Sequence, residues 1–206
     1  MRPINLNNVE EKSIGGGYKR LPAGAYACVV TKVEDVADRE YLSVELDIAA
    51  GEFSGYFSDD FYADKPYAHR VVLSYKDANL GYLKHNLRMF TESNTGFDAE
   101  AAVMGGREDM LVGKAVGCAF REEEYYDRKA DEFKVGSPRP DVLISTHDVE
   151  GYEPREPRML DEAGKVAALK RGGVSNPEQW LNRMETAARI GGGVSASDVC
   201  MDDPFA

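Results

Sequence analysis

From Ala25 to Glu34 apolar and polar residues alternate in a run rich in β-branched side chains, the pattern of a half-buried strand. Tyr26, Cys28, Val30 and Lys32 fall on one face, and Ala27, Val29, Thr31 and Val33 on the other. After a charged turn at Asp35 to Arg39, the alternation resumes from Tyr41 to Ile48. It points Leu42, Val44, Leu46 and Ile48 inward and Tyr41, Ser43, Glu45 and Asp47 outward. The two runs predict a long antiparallel hairpin. Gly51 to Tyr62, with Phe53, Tyr56, Phe57, Phe61 and Tyr62, suits a strand and bend, followed by an exposed loop through Lys65-Pro66-Tyr67. Val71 to Lys76 predicts a further short strand. Leu80, Leu83, Leu87 and Phe90 then recur at helical spacing, so Leu80 to Glu92 is read as an amphipathic helix.

Gly113 to Phe120 reads as a strand, Glu122 to Arg128 runs toward a hairpin whose return holds Phe133 and Val135, and Asp141 to His147 is the last core strand. Short strands separated by turn chemistry predict a mainly β fold. The architecture expected is an OB-like small barrel or curved antiparallel sheet with one interposed helix. Residues 1–20 form the lead-in, 21–150 the OB-like domain, and 151–206 a flexible C-terminal tail of linker, short helix and acidic end. In that last part Asn176-Pro177-Glu178 starts a helix through Arg189, with asparagine as N-cap and proline at the first helical position. Trp180, Leu181 and Met184 form its apolar stripe.

A length of 206 residues suits one domain with an appendage, and 43% apolar with 30% charged residues is a globular composition. No apolar run approaches the roughly 18 residues a membrane helix needs, and Met1 to Asn8 lacks the plan of a signal peptide. A cytoplasmic location is expected, in the host cell if the chain is phage-encoded. Cys28, Cys118 and Cys200 are odd in number and far apart, which favours reduced thiols over a disulfide framework or a metal knuckle. The Gly15-Gly16-Gly17 triplet lacks the flanking strand and helix of a phosphate-binding loop. A formal charge of −11, not confined to the tail, weighs against nucleic acid. A locally basic groove, or one assembled in a homo-oligomer, would still release counterions.

The order Leu21-Pro22-Ala23-Gly24-Ala25-Tyr26, then an alternating strand, then Glu40 to Ile48 and Gly51-Glu52-Phe53, resembles phage and prophage proteins that bind single-stranded DNA or assist recombination and replication. The resemblance covers about residues 20–150. Independently, Asp202-Asp203-Pro204-Phe205-Ala206 resembles the acidic aromatic tip of bacterial single-stranded-DNA-binding proteins, which docks on DNA-processing enzymes. An Asp pair suits a basic rim, and Phe205 an apolar pocket. That family ends on the phenylalanine; here Ala206 follows, which displaces the terminal carboxylate.

These resemblances imply a non-catalytic protein that coats single-stranded DNA and recruits a replication or recombination enzyme through Asp202, Asp203, Pro204 and Phe205. Single-strand binding needs aromatic platforms and cations. The candidates are Lys32, Arg39 beside Tyr41, the Tyr56-Phe57 pair, Tyr75 beside Lys76, and the Tyr125-Tyr126-Asp127-Arg128-Lys129 turn. Each aromatic alone also suits core packing, because small barrels use rings as filler. An acidic adaptor that binds only proteins is the alternative. Asp47, Glu52, Asp59, Asp60 and Glu122-Glu123-Glu124 lack the spacing of a nuclease site, and His69, His85 and His147 are scattered, so neither catalysis nor a metal or other cofactor is expected.

Overall fold

The computed structural model describes residues 19–191, so the glycine triplet, Cys200 and the Asp202 to Phe205 tip lie outside the described residues. In chain order the elements are β1 (Gly24–Val36), β2 (Tyr41–Ile48), β3 (Arg70–Ser74), α1 (Leu80–Ser93) and α2 (Ala99–Met104). They continue with β4 (Ala115–Arg121), β5 (Glu124–Asp127), β6 (Glu132–Val135), β7 (Arg139–Ile144), α3 (Glu162–Arg171) and α4 (Pro177–Gly191).

The expected hairpin is present: β1 pairs antiparallel with β2 from Cys28 opposite Ile48 to Val36 opposite Tyr41. Its periodicity breaks once. A bulge between Val30 and Lys32 leaves Thr31 extra, so Val33 packs on the core while Lys32 turns to solvent. Strict alternation had put Lys32 on the face of Cys28 and Val30. The first half of β1 also pairs with β4, which pairs in turn with β7. The sheet order is therefore β3-β2-β1-β4-β7, and β3 approaches β7 across the remaining gap. Five antiparallel strands curl into a nearly closed barrel with α1 between the third and fourth, consistent with the OB-like expectation.

Val30, Val44, Leu46, Ile48, Leu73, Val116 and Leu143 fill the barrel, and α1 adds Leu87, Met89 and Phe90. Each such side chain contributes about 1.5–3 kcal/mol by leaving water. Leu80, expected on the apolar stripe of α1, is exposed, and Met89 is buried in addition to the expected Leu87 and Phe90. The Asn94 side chain then fixes the start of β4: its Nδ2 donates to the Ala115 carbonyl at 2.7 Å, and its Oδ1 accepts from Ala115 N at 3.0 Å.

Gly51 to Tyr62 is not a strand. It folds as short 3-10 turns at Tyr56–Ser58 and Asp60–Tyr62, with a third at Pro66–Ala68. Aromatic rings seat this loop on the end of the barrel. Phe57 stacks on Phe120 with centroids 5.7 Å apart, and Tyr26 meets Phe53 and Phe120 edge to face.

Helices α2 and α3 were not legible as periodic patterns. Helix α4 begins where Asn176 and Pro177 predict, and it docks on the β5–β6 hairpin. Trp180, only 4% exposed, meets Tyr126 and Phe133 at 5.7 Å each and donates from Nε1 to Asp131 at 2.9 Å. Among the described residues no helix is long and apolar enough to cross a membrane.

Candidate nucleic-acid interface

The residue that positions the Ala49–His69 loop is Asp47, an outward-facing β2 residue that this loop covers. Its buried carboxylate accepts from Ile48 N at 2.7 Å, from Phe57 N at 2.9 Å, and from the Ser58 hydroxyl. Asp59 then caps the next turn, accepting from Phe61 N at 2.8 Å. The tight turns send alternate rings in opposite directions. Phe57 and Tyr62 are buried, while Phe61 and Tyr67 stand 53% and 51% exposed. Lys65 Nζ lies 4.0 Å from the Phe61 ring centroid, donates to the Phe61 carbonyl at 2.6 Å and pairs at 2.9 Å with Asp64, whose side chain is exposed.

The facing wall is the β5–β6 hairpin, inserted between β4 and β7. Strand alternation sends Tyr126 toward Trp180 and leaves Tyr125 44% exposed on the opposite face. Tyr125 lies on the backbone of Gly136, where a Cβ would come within 3.1 Å of the ring. Arg139 places its guanidinium 5.4 Å from the Tyr67 ring centroid. Between the walls runs a cleft of about 310 Å³ lined by Phe61, Lys65, Tyr67, Tyr125 and Arg139 among others. It brings together three exposed rings and two cations.

Two carboxylates also line the cleft, and each is compensated. Glu123 pairs with Arg158 at 3.0 Å, and buried Glu124 accepts from Leu160 N at 3.0 Å with Lys165 Nζ 3.9 Å away. Arg139, by contrast, has no carboxylate within ion-pair distance among the described residues. The opposite end of the barrel is acidic, with Glu34, Asp35, Asp38 and Glu40 all exposed around the β1–β2 turn.

The residues singled out from sequence divide among three places. Lys32, Arg39, Tyr41, Tyr75 and Lys76 lie at or near the acidic end. Lys32 is bound to Glu34 at 3.1 Å and Glu45 at 3.7 Å, and the Glu34 hydrogen bond chiefly raises its pKa. The Tyr75 hydroxyl donates to Asp35 at 2.8 Å, which raises its pKa. Tyr56 and Phe57 line the cleft floor. Phe57 is enclosed by Tyr56, Tyr62, His69 and Phe120, and the Tyr56 hydroxyl accepts from Leu21 N at 3.1 Å. Arg128 and Lys129 are exposed at the hairpin tip.

Phe61, Lys65, Tyr67 and Arg139 were not singled out from sequence as candidates, although the exposed loop through Lys65-Pro66-Tyr67 was legible. The missing signal was the fold itself, which carries Arg139 to a tyrosine 72 positions earlier.

The carboxylates weighed for catalysis are dispersed. Asp47 holds a loop, Glu52 pairs with Lys19, and Glu122 pairs with Arg20 at 2.8 Å. Among the described residues no three His, Cys, Asp or Glu side chains are disposed to hold a metal ion. No known protein family matches the chain, and no curated protein matches it.

Proposed function

We propose that this protein binds single-stranded DNA without catalysis, laying bases on Phe61, Tyr67 and Tyr125 and phosphates near Lys65 and Arg139. The observation that carries the reading is one cleft flanked by three exposed rings, two of them beneath cations. Base stacking of this kind is sequence-tolerant, because every base has a π-face, and each stacked base adds about 1–3 kcal/mol. An OB-like barrel suits such a site at its loops. The proposal extends to a phage-type role in replication or recombination. There the protein coats the strand while Asp202, Asp203, Pro204 and Phe205 recruit a DNA-processing enzyme.

The test is fluorescence anisotropy of a labelled oligothymidylate at several salt concentrations, with duplex of equal length as control. Two phosphate contacts predict a slope of log K against log salt of about −1.4. The formal charge of −11 and the acidic β1–β2 turn favour the second reading, an adaptor that binds proteins only. A folded chain that ignores both oligonucleotides would select it.

A further inference from the structure

The cleft contains a conflict: Glu123 and Glu124 line the wall that carries Tyr125, and two bare carboxylates there would repel a phosphate chain. The chain resolves it with residues from beyond the barrel. After β7 it returns along β5 in a short parallel bridge, with Arg158 N donating to the Glu122 carbonyl at 2.8 Å and Glu124 N donating to the Arg158 carbonyl at 2.9 Å. This backbone register fixes where the Arg158 guanidinium can reach. It divides between Glu123, at 3.0 Å, and Asp141, whose side chain is 6% exposed and also pairs with Arg155 at 3.4 Å. Arg121 Nε adds a bond to the Glu156 carbonyl at 2.6 Å.

Resting on the single-strand reading, we propose that the returning segment from Arg155 to Lys165 backs the Tyr125 wall of the cleft from behind β5, with Arg158 a positioning residue that cancels the Glu123 charge beside the strand's path. The geometry separates this from an ordinary surface ion pair. A surface pair between two long side chains contributes little because both must be ordered for it to form. Here the backbone bridge and the second carboxylate, Asp141, already hold the arginine. The binding unit therefore runs past residue 150, through at least Lys165.

The experiment measures oligothymidylate affinity for Arg158→Gln, Glu123→Gln and the double variant, with Trp180 emission and melting as controls for the fold. Arg158→Gln is expected to weaken binding about tenfold at low salt, and less as salt screens the exposed charge. Adding Glu123→Gln should restore affinity to within about twofold of wild type, a rescue that a purely structural arginine would not allow. Arg158→Lys keeps the cation but not the fork that spans both carboxylates, so it should lose clearly less affinity than the tenfold of Arg158→Gln, and the inference remains open to refutation even if the glutamine variant fails to fold. Unchanged binding in a folded Arg158→Gln, a loss that Glu123→Gln leaves in place, or a tenfold loss in Arg158→Lys overturns the inference. A wild-type chain that ignores the strand overturns the function itself, and this assignment with it.

Discussion

Replacing Asp47 with alanine tests whether one buried carboxylate holds the aromatic loop on the barrel. The change removes the acceptor for Phe57 N at 2.9 Å and for the Ser58 hydroxyl, and strands the Phe57 amide beside a buried ring. Bonds to a charged acceptor contribute about 1.5–3 kcal/mol each, and an unsatisfied buried donor costs about 1–3 kcal/mol. The effects overlap, so a loss of about 3 kcal/mol is expected, equivalent to about 6–12 °C in melting temperature for a chain of this size. Asp47→Asn retains one acceptor oxygen and should lose about half as much. Melting followed by circular dichroism gives the stability, and anisotropy with oligothymidylate gives the effect on the cleft. Affinity should fall with the loop, because Phe61 and Tyr67 are carried on it. A melting point of Asp47→Ala within about 2 °C of wild type would refute the reasoning, since the Phe57 and Ser58 bonds to a buried carboxylate could not then be holding the loop.

Tyr67→Ala should weaken single-strand binding by about 1–3 kcal/mol, whereas Tyr75→Phe at the acidic end should leave it unchanged; titration of both variants separates the two ends of the barrel. At Gly117 a Cβ would meet Ile144 Cγ1 at 2.7 Å and the Ser145 carbonyl at 2.8 Å, so Gly117→Ala should destabilise by about 1–3 kcal/mol in chemical denaturation. Trp180→Phe keeps an aromatic ring but loses the 2.9 Å bond to Asp131, and α4 amides should exchange about five times faster, equivalent to about 1 kcal/mol. Burial lowers the pKa of His69 below its ordinary 6.5, against the opposing pull of Glu45 and Asp47. Well above pH 6.5 neither state binds a proton there. Below it the unfolded chain protonates first, so stability is lost as pH falls toward the depressed folded value. His69→Phe should flatten that decline below about pH 6.5 in melting experiments, and an identical slope in both proteins would exclude His69 as its source.

The barrel was legible because its strands bury one face, so Leu42, Val44, Leu46 and Ile48 announce themselves at every second position. Alternation failed where the backbone carries an extra residue, at Thr31, since a bulge leaves no mark in polarity. It failed again at Asp47, which occupies a polar-face position but is covered by the loop that it binds. The site was legible in kind more than in place. Aromatics beside cations do line the cleft, yet Tyr56-Phe57 and Phe61-Tyr62 read alike until the 3-10 turns decide which rings face solvent. Arg139 meets Tyr67 across 72 positions of sequence, which no local window contains, whereas Tyr125 sits on a local hairpin opposite Lys134. Helix α3 was missed because it rests on the hairpin through few apolar residues, chiefly Leu169, and shows no broad stripe.

The hairpin that carries Tyr125 is covered on its other face by Trp180, which emerges from the ribosome roughly fifty residues after Phe133. At about 5–20 residues per second, Tyr126 and Phe133 wait several seconds for their cover while the barrel strands can already pair. During that interval the nascent chain presents an apolar ribbon to its surroundings. A ribosome-stalled chain ending before α4 should therefore engage chaperones more strongly than one ending after it.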